Sequence, residues 1–122
     1  MMKKTLIIIA VVVVALGLAA WLGLPAGLTA MGLHPQYSGP KFQLPGGKAL
    51  IIATSHDRLG EKGDRTGVFG SEMTAPYYEF VAGGMKVDLA SIKGGPIPID
   101  PMSIKWFIKS GYDDRFLKDP DF

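Results

Sequence analysis

The feature that most constrains this chain is an uninterrupted apolar segment near its amino terminus, Leu6 to Leu24 (LIIIAVVVVALGLAAWLGL). Its 19 residues carry no charge. As an α-helix at about 1.5 Å per residue the segment would extend roughly 28 Å, close to the ~30 Å hydrocarbon core of a bilayer. Buried strands are typically about 4–8 residues long, so the β-branched run Val11–Val14 does not favour a soluble sheet. The segment predicts a transmembrane anchor within residues 1–24.

Two kinds of membrane-directed segment fit this sequence. A secretory signal has an apolar core of about 7–15 residues followed by a small-x-small cleavage site. The core here is longer and Leu28–Ala30 is a poor cleavage sequence, so an uncleaved signal anchor is favoured over a cleaved signal. By the positive-inside rule, Lys3 and Lys4 predict a cytoplasmic N-terminus. We therefore predict a single-pass membrane protein that contacts the lipid bilayer through residues 6–24, with its domain on the extracytoplasmic (periplasmic or outer) face.

Charge and cysteine content exclude several classes of function. The chain has 13 Lys and Arg against 11 Asp and Glu, and Lys3 and Lys4 account for the difference, so the part after the anchor is neutral. No basic cluster follows the anchor, and we therefore predict no nucleic-acid partner. Because the sequence contains no cysteine, this chain has no disulfide, no thiolate metal site and no cysteine nucleophile of its own. We predict no cofactor and no metal.

Composition divides the rest of the chain into a linker and a domain. Residues 25–47 are rich in proline and glycine and show no periodic apolar pattern. Such a segment is typical of a tether, which here would hold a domain away from the membrane. Residues 48–122 are predicted to form that domain.

The domain opens with a predicted strand, helix and strand. The apolar run KALIIATS (48–55) predicts a strand that is buried on both faces of a parallel sheet, and MKVDLAS (85–91) predicts a second strand. Between them, apolar residues recur at helical spacing and would form one buried face. That face is predicted to consist of Met73, Tyr77, Phe80 and Val81. A strand, helix and strand within about 40 residues predict a βαβ unit and an α/β fold.

The positions at which the predicted helices begin are less clear from the sequence. The first helix begins either near Thr74, or near Val68 with a bend at Pro76, because proline interrupts the helical hydrogen bonds. A second helix is predicted through MSIKWFIKS (102–110), since Asp100-Pro101 is a favourable N-cap and first-turn pair.

Several polar groups resemble sites but are better explained as loop structure. The glycine-rich segment 60–67 (GEKGDRTG) matches neither the phosphate-binding loop nor the dinucleotide-binding motif. Ser55–Asp57 contains the residue types of a hydrolytic triad, but three consecutive residues cannot converge as a triad must, and loop capping is predicted. The adjacent acids Asp113-Asp114 are predicted to form a solvated turn.

Glu72 is a lone carboxylate between the glycine-rich loop and the aromatic segment APYYEF (75–80). From its position alone it is a first-turn helix glutamate, favoured by the helix dipole. Glu79, one heptad later, is predicted to be solvated and dispensable. In open α/β sheets, ligands bind beyond the carboxyl ends of the strands, which is where the loops 55–70 and 91–101 are predicted to lie.

Residues 48–103 resemble the opening of the ThiJ/PfpI superfamily, which has the class I glutamine amidotransferase-like fold. The resemblance rests on an ordered pattern, TSHD…G…TGV…E…APYY.F..AG..VDLAS.KGG..P.DP.S, and is strongest to the branch with glyoxalase-type and chaperone-type members. It implies a flavodoxin-like parallel sheet with flanking helices, of which this chain would supply the N-terminal half. A truncated or split domain is therefore predicted for residues 48–122.

The resemblance also gives Glu72 a role in catalysis. It implies that Glu72 lies beside a reactive cysteine, hydrogen-bonds its thiol and assists proton transfer. A carboxyl surrounded by apolar groups resists ionisation and can share a proton with a thiol. The cysteine and the histidine that follows it would belong to the missing second half, so this chain is predicted to be inactive alone.

The predicted function is that of a membrane-anchored N-terminal half of a ThiJ/PfpI-like protein. When complete, such a protein would be glyoxalase- or deglycase-like, or amidase- or protease-like, and would act on small carbonyl or amide substrates through a cysteine. The alternative is a non-catalytic anchored module that pairs with a second chain. The predicted partners are the lipid bilayer and either the missing C-terminal half or a second copy of the chain.

Overall fold

The structure is a computed structural model that describes residues 2–32, 39–61 and 63–122, except the side chain of Met2. It comprises two compact units, Met1–Gln36 and Tyr37–Phe122.

The first unit is a single helix, α1 (Met2–Ala30), which contains the predicted anchor. Over Lys3–Ala30 it is long and apolar enough to cross a membrane, as judged by length and composition. The helix passes through Pro25 and ends six residues beyond Leu24, where the linker was predicted to begin. Residues 25–30 therefore belong to the helix, and the Thr29 hydroxyl donates a 3.0 Å hydrogen bond to the Pro25 carbonyl within it. The central part of the predicted linker, residues 33–38, lies outside the described residues.

The end of the predicted linker is part of the second unit. The Leu44 N–H donates a 2.8 Å hydrogen bond to the Gly83 carbonyl, and the Gly46 N–H bonds the carbonyl of Gly84. The Gln43 side-chain amide also donates to the Ala82 carbonyl at 3.3 Å. These contacts fix residues 43–46 against the turn after the following helix, so this part of the segment is not a free tether.

The second unit contains the predicted strand, helix and strand. They are β1 (Lys48–Ala53), α2 (Gly70–Ala82) and β4 (Lys86–Ser91). Strands β1 and β4 pair in parallel, with register from Lys48 opposite Lys86 to Ala53 opposite Ser91. Helix α2 packs against both strands. The predicted βαβ unit and the α/β class are confirmed at this level, as a small parallel sheet with helices.

The prediction that the first strand is buried on both faces is wrong. Burial alternates along β1: Ala53 is buried, whereas Leu50 and Ile52 are 60% and 62% exposed. Asp88, which is the register partner of Leu50 on β4, is also exposed. We refer to Leu50, Ile52 and Asp88 as the open sheet face. Helix α2 packs on the opposite side of the sheet. Among the described residues no second layer covers the open sheet face.

Helix α2 buries a different face from the predicted one. Met73, Thr74 and Tyr78 are at most 2% exposed, whereas Phe80 and Val81 are 39% and 38% exposed. The buried stripe is rotated because the carboxyl-terminal segment packs against the side of α2 that carries Thr74 and Tyr78. The helix begins at Gly70 and includes Pro76, which agrees with the earlier of the two predicted starts.

A small hairpin interrupts the loop that follows β1. It is formed by β2 (Arg58–Leu59) and β3 (Asp64–Arg65), which are antiparallel and lie within a segment predicted to be a polar loop. Gly60 and Gly63 have φ of 57° and 66°, the left-handed region that glycine adopts without strain.

The helix predicted after Asp100-Pro101 does not form. The Asp100 carboxylate accepts the Met102 N–H at 2.7 Å, as an N-cap would, but the following hydrogen bonds mostly span three residues and produce successive turns. The buried Ser103 hydroxyl donates to the Asp100 carbonyl at 2.7 Å. Because that hydroxyl competes with backbone N–H groups for the Asp100 carbonyl, it favours a turn over helix propagation. A short helix, α3 (Gly111–Phe116), follows later.

Candidate functional site

The loops that follow β1 and β4 are tied together at the carboxyl edge of the sheet. Val68 and Ile99 form an isolated parallel bridge, in which the Val68 N–H donates to the Pro98 carbonyl and the Asp100 N–H to the Val68 carbonyl, each at 2.9 Å. The Thr66 hydroxyl also donates to the Asp100 carboxylate at 3.1 Å. The bridge holds the loop after β1 beside the loop after β4, as expected for loops that leave two parallel strands at the same edge of the sheet.

Gly67 allows this close approach of the two loops. A Cβ atom at Gly67 would lie 2.2 Å from the Pro98 carbonyl oxygen and 2.7 Å from the Ile99 nitrogen. Both neighbours are backbone atoms of the bridge and cannot rotate away. The position therefore requires glycine for steric reasons.

Ser55 and its neighbours act as loop caps, as predicted. The Ser55 hydroxyl oxygen accepts the Lys93 N–H at 2.9 Å, which links the loop after β1 to the loop after β4. The His56 N–H donates to the Thr54 hydroxyl oxygen at 2.9 Å. Of these three residues, Ser55 uses its side chain to join two loops, and His56 contributes a backbone N–H to a local turn.

Glu72 lies in the first turn of α2, and its side chain is exposed. Its N–H donates to the Phe69 carbonyl at 2.9 Å, and Phe69 supplies no side-chain cap to the helix. An acid at this position interacts favourably with the positive end of the helix dipole. The apolar enclosure expected from the family resemblance is not formed by the described residues. The proposed proton-sharing role of Glu72 stays a prediction.

Glu79 was predicted to be solvated, and the structure shows otherwise. The Tyr112 hydroxyl donates a short hydrogen bond to the Glu79 carboxylate. This hydrogen bond is the main reason that the pKa of Tyr112 lies above its usual value, and burial of the hydroxyl raises the pKa further. Glu79 therefore connects α2 to α3 and is not a neutral control for Glu72.

Asp113 was predicted to lie in a solvated turn but is 2% exposed. Its carboxylate accepts the Thr74 hydroxyl at 2.7 Å, the Ser110 N–H at 2.7 Å and the Ser110 hydroxyl at 2.8 Å. Ser110 and Asp113 form a capping box at the start of α3. The sequence signal for it was present as Ser110-x-x-Asp113, with aspartate in place of the usual glutamate.

The contact between α2 and α3 also includes a buried tyrosine. The Tyr78 hydroxyl donates to the Asp119 carboxylate at 2.9 Å, and the Arg115 guanidinium lies 3.9 Å from the centre of the Tyr78 ring. Burial, together with the hydrogen bond to Asp119, raises the pKa of Tyr78 to about 12. These polar contacts hold the carboxyl-terminal segment against α2. Among the described residues no group of three or more His, Asp or Glu side chains could hold a metal ion.

Comparisons with known proteins yield one informative similarity. No protein-family model matches the chain, and no curated protein matches it. The chain is similar to the X-ray structure of Francisella tularensis Rapid Encystment Protein 24 kDa (REP24), with 40% sequence identity and a TM-score of 0.56. The similarity covers 62% of this chain and 32% of REP24, so the chain spans about a third of the length of that protein.

Proposed function

We propose that this chain is the membrane-anchored N-terminal part of a ThiJ/PfpI-like α/β protein. In this proposal α1 is an uncleaved anchor with a cytoplasmic N-terminus, and the second unit lies on the extracytoplasmic side. The completed fold acts on small carbonyl or amide substrates through a cysteine supplied by the remaining part of the domain. The chain is inactive until that part is added.

The main observation in support of this proposal is the open sheet face. Two parallel strands with Leu50 and Ile52 60% and 62% exposed resemble part of a larger sheet, because parallel sheets are normally covered on both faces. The similarity to REP24 supports the same view, since it covers 62% of this chain but 32% of REP24. Both observations support the proposal that further strands and a second layer complete the fold.

Glu72 is the residue that we assign to the chemistry. It lies at the start of α2, next to the bridged loops at the carboxyl edge of the sheet, and its side chain is exposed. When the missing part brings a thiol and apolar groups to this edge, the carboxyl can share a proton with the thiolate. Glu72 is then an auxiliary acid and the cysteine is the nucleophile.

A chimera tests the proposal. Residues 40–122 replace the part of REP24 to which this chain is similar, and the product is compared with unmodified REP24 for cooperative unfolding and for methylglyoxal turnover that iodoacetamide abolishes. Glu72→Gln in the folded chimera should reduce turnover by ~10²–10⁴-fold without loss of folding, since the amide keeps the shape but cannot transfer the proton. Turnover unaffected by iodoacetamide or by Glu72→Gln would overturn the assignment.

Two leucines of equal exposure provide a matched control for the sheet face. Leu50 lies on the open sheet face and Leu59 on the hairpin, with exposed fractions of 60% and 61%. Leu50→Lys should prevent folding of the chimera, whereas Leu59→Lys should not, because only Leu50 would become buried. Equal tolerance of both substitutions would contradict the idea that this face is covered in the complete protein.

A second candidate function is a non-catalytic anchored module that pairs with another chain. The absence of cysteine from this sequence favours it, since the open sheet face then serves association alone. A chimera that folds, depends on Leu50 and shows no thiol-dependent turnover of methylglyoxal or peptides would support this function over the catalytic one. The nucleotide sequence after the Phe122 codon discriminates further, because a reading frame with a Cys-His pair would favour the enzyme.

A further inference from the structure

An open cleft of about 640 Å³ lies at the carboxyl edge of the sheet, between the β2–β3 hairpin and the loop after β4. Its volume is within the range of about 300–1,000 Å³ that is typical of small-molecule sites. Carboxyl edges of parallel strands are also where open α/β sheets bind ligands. The hairpin side is lined by Asp57, Arg58, Arg65 and Thr66, with Ser55 nearby.

The hairpin places two arginines directly opposite each other. Arg58 and Arg65 are register partners of β2 and β3, so their side chains leave the ribbon on the same face. Like charges in directly opposed positions destabilise a strand pair. Within residues 2–32, 39–61 and 63–122, neither guanidinium lies within 4.0 Å of a carboxylate, since the one ion pair found there joins Lys109 and Asp114. An anion between the two guanidinium groups would offset their repulsion.

One of the two guanidinium groups is already held in position. Arg58 Nη1 donates a 2.9 Å hydrogen bond to the carbonyl of Gly63 in the hairpin turn. This bond uses one of the five N–H donors of the group and leaves the others for a ligand. Arg65 is exposed and makes no hydrogen bond from its side chain to the part of the chain that the structure describes. The pair thus combines a guanidinium that is hydrogen-bonded within the hairpin with one that is exposed to solvent.

The other residues that line the cleft favour an anion that carries an apolar group. Pro96–Ile99 and Ile104 form the opposite wall of the cleft. Ser55 accepts the Lys93 N–H with its hydroxyl oxygen, so its own proton is available to donate. Asp57 also lines the cleft, and its charge leaves the lining with a net charge of one positive unit. That balance favours a singly or doubly charged small molecule over a polyanion.

We propose that this cleft binds a small organic anion, a carboxylate or a phosphate ester, between the guanidinium groups of Arg58 and Arg65. Guanidinium groups pair with carboxylate and phosphate oxygens through parallel hydrogen bonds, which makes arginine suited to both. The apolar body of the ligand lies against Pro96–Ile99. This site does not depend on the thiol chemistry proposed above, because all of its residues belong to this chain.

Binding is tested with the full chain in phosphatidylcholine nanodiscs. Phenyl phosphate, inorganic phosphate and acetate are titrated while the arginine Nε–H resonances are followed by NMR. Phenyl phosphate should shift the Arg58 and Arg65 resonances and bind more tightly than inorganic phosphate, because its ring contacts the apolar wall. Arg65→Gln should weaken binding by about tenfold, the loss expected for a charge-assisted hydrogen bond.

Matched variants separate a built site from general charge attraction. Lys86→Gln removes the same charge from an exposed position at the start of β4, the opposite end of the strand from the cleft, and should change affinity by less than about twofold, as screened distant charges do. Arg58→Lys keeps the charge but loses the planar fork, and it should weaken the binding of both phosphate and acetate, since the fork pairs with either group through parallel hydrogen bonds. Equal losses in Arg65→Gln and Lys86→Gln, or no shift of either arginine with any probe, would overturn the proposal.

Nanodisc composition identifies the source of the anion. If phosphatidylglycerol discs shift the two arginine resonances without added ligand, the ligand is a lipid headgroup phosphate. If only dissolved phenyl phosphate shifts them, the ligand is a free organic anion. Because thiol-dependent turnover plays no part in this measurement, failure of the cleft proposal and failure of the proposed function are distinguishable.

Discussion

The Thr74 hydroxyl donates a 2.7 Å hydrogen bond to the carboxylate of Asp113, across 39 residues of sequence. Both side chains are at most 2% exposed, so the bond lies in the interior of the second unit. Few apolar side chains are buried there: among the described residues they are Ala53, Met73 and Tyr78. The contact between α2 and α3 therefore depends on polar groups that satisfy one another more than on a large apolar core.

Removing the Thr74 hydroxyl should destabilise the second unit. Thr74→Val keeps the shape but leaves one buried oxygen of Asp113 without a donor, which typically costs about 1–3 kcal/mol. Thr74→Ser keeps the hydroxyl and loses one methyl group, at a cost of about 1 kcal/mol or less. Urea unfolding of the full chain in detergent micelles measures both. Equal stability of the Val and Ser variants would show that the bond contributes little.

Substitution of Gly67 should disrupt the bridge between the two loops. In Gly67→Ala the new methyl group would meet the Pro98 carbonyl at 2.2 Å, and overpacking of this kind costs about 1–3 kcal/mol. Gly111→Ala is the matched control, because no atom lies within 4 Å of its Cβ position, and it should be neutral or slightly stabilising. Amide exchange of Val68 and Asp100, the two donors near the bridge, should accelerate only in Gly67→Ala.

Tyr78 should give the unit a characteristic loss of stability at alkaline pH. Its pKa in the folded chain is about 12, against 10.0 for the ordinary group, so folding favours the protonated form. The contribution is complete below pH 10 and is lost as the pH rises from 10 to 12, in total about 3 kcal/mol. Tyr78→Phe is less stable than wild type at pH 8 because it lacks the Asp119 bond, and the difference should shrink by pH 11.5. A constant difference between the two chains would contradict the assignment.

Glu72 and Glu79 should differ in their effects on stability. Glu79→Gln weakens the hydrogen bond from Tyr112 and should cost about 1 kcal/mol. Glu72→Gln removes only an exposed charge near the start of α2, worth about 0.3–1 kcal/mol, and that loss should disappear in high salt. Thermal unfolding at low and high ionic strength distinguishes them. A salt-independent loss in Glu72→Gln would indicate a buried contact that the structure does not show.

The apolar segment should retain the chain in membranes. Leu6 to Leu24 is expected to resist carbonate extraction at its full length, as a spanning helix does. Val12→Arg places a charge near the middle of the segment, at a cost of about 2.5–3.5 kcal/mol for insertion, and should move a large share of the chain to the soluble fraction. Val12→Leu is the control. A shortened mature form that begins near Met31 would instead identify a cleaved signal.

Local patterns in the sequence predicted the strand, helix and strand with which the second unit begins. The apolar run of β1, the helical stretch after Gly70 and the second strand were each identified, because hydrophobic periodicity is a local property. The capping function of Ser55 was also predicted, although the N–H that it accepts belongs to Lys93, 38 residues away in the chain. For these three elements the type could therefore be predicted from sequence alone, and so could the parallel pairing.

The burial of individual side chains depends on long-range contacts and could not be predicted from local patterns in the sequence. Phe80 and Val81 were predicted to be buried and are exposed, because a segment about 40 residues away packs on the other side of α2. The same packing buries Asp113, whose surroundings depend on Thr74 and could not be inferred from the adjacent acid Asp114. The helix after Asp100 failed to form for a local reason that the pattern did not reveal, the competing hydroxyl of Ser103.

The open sheet face has a consequence for the amount of this protein in a cell. Both β1 and β4 have a free edge in the described part of the chain, next to the exposed Leu50 and Ile52. A strand edge of this kind pairs with any extended polypeptide that reaches it, and exposed apolar surface directs a chain to chaperones and proteases. If a partner covers this face, as proposed above, copies made in excess of that partner are expected to be degraded. Under that proposal, the half-life of the chain would increase with the amount of the partner in the cell.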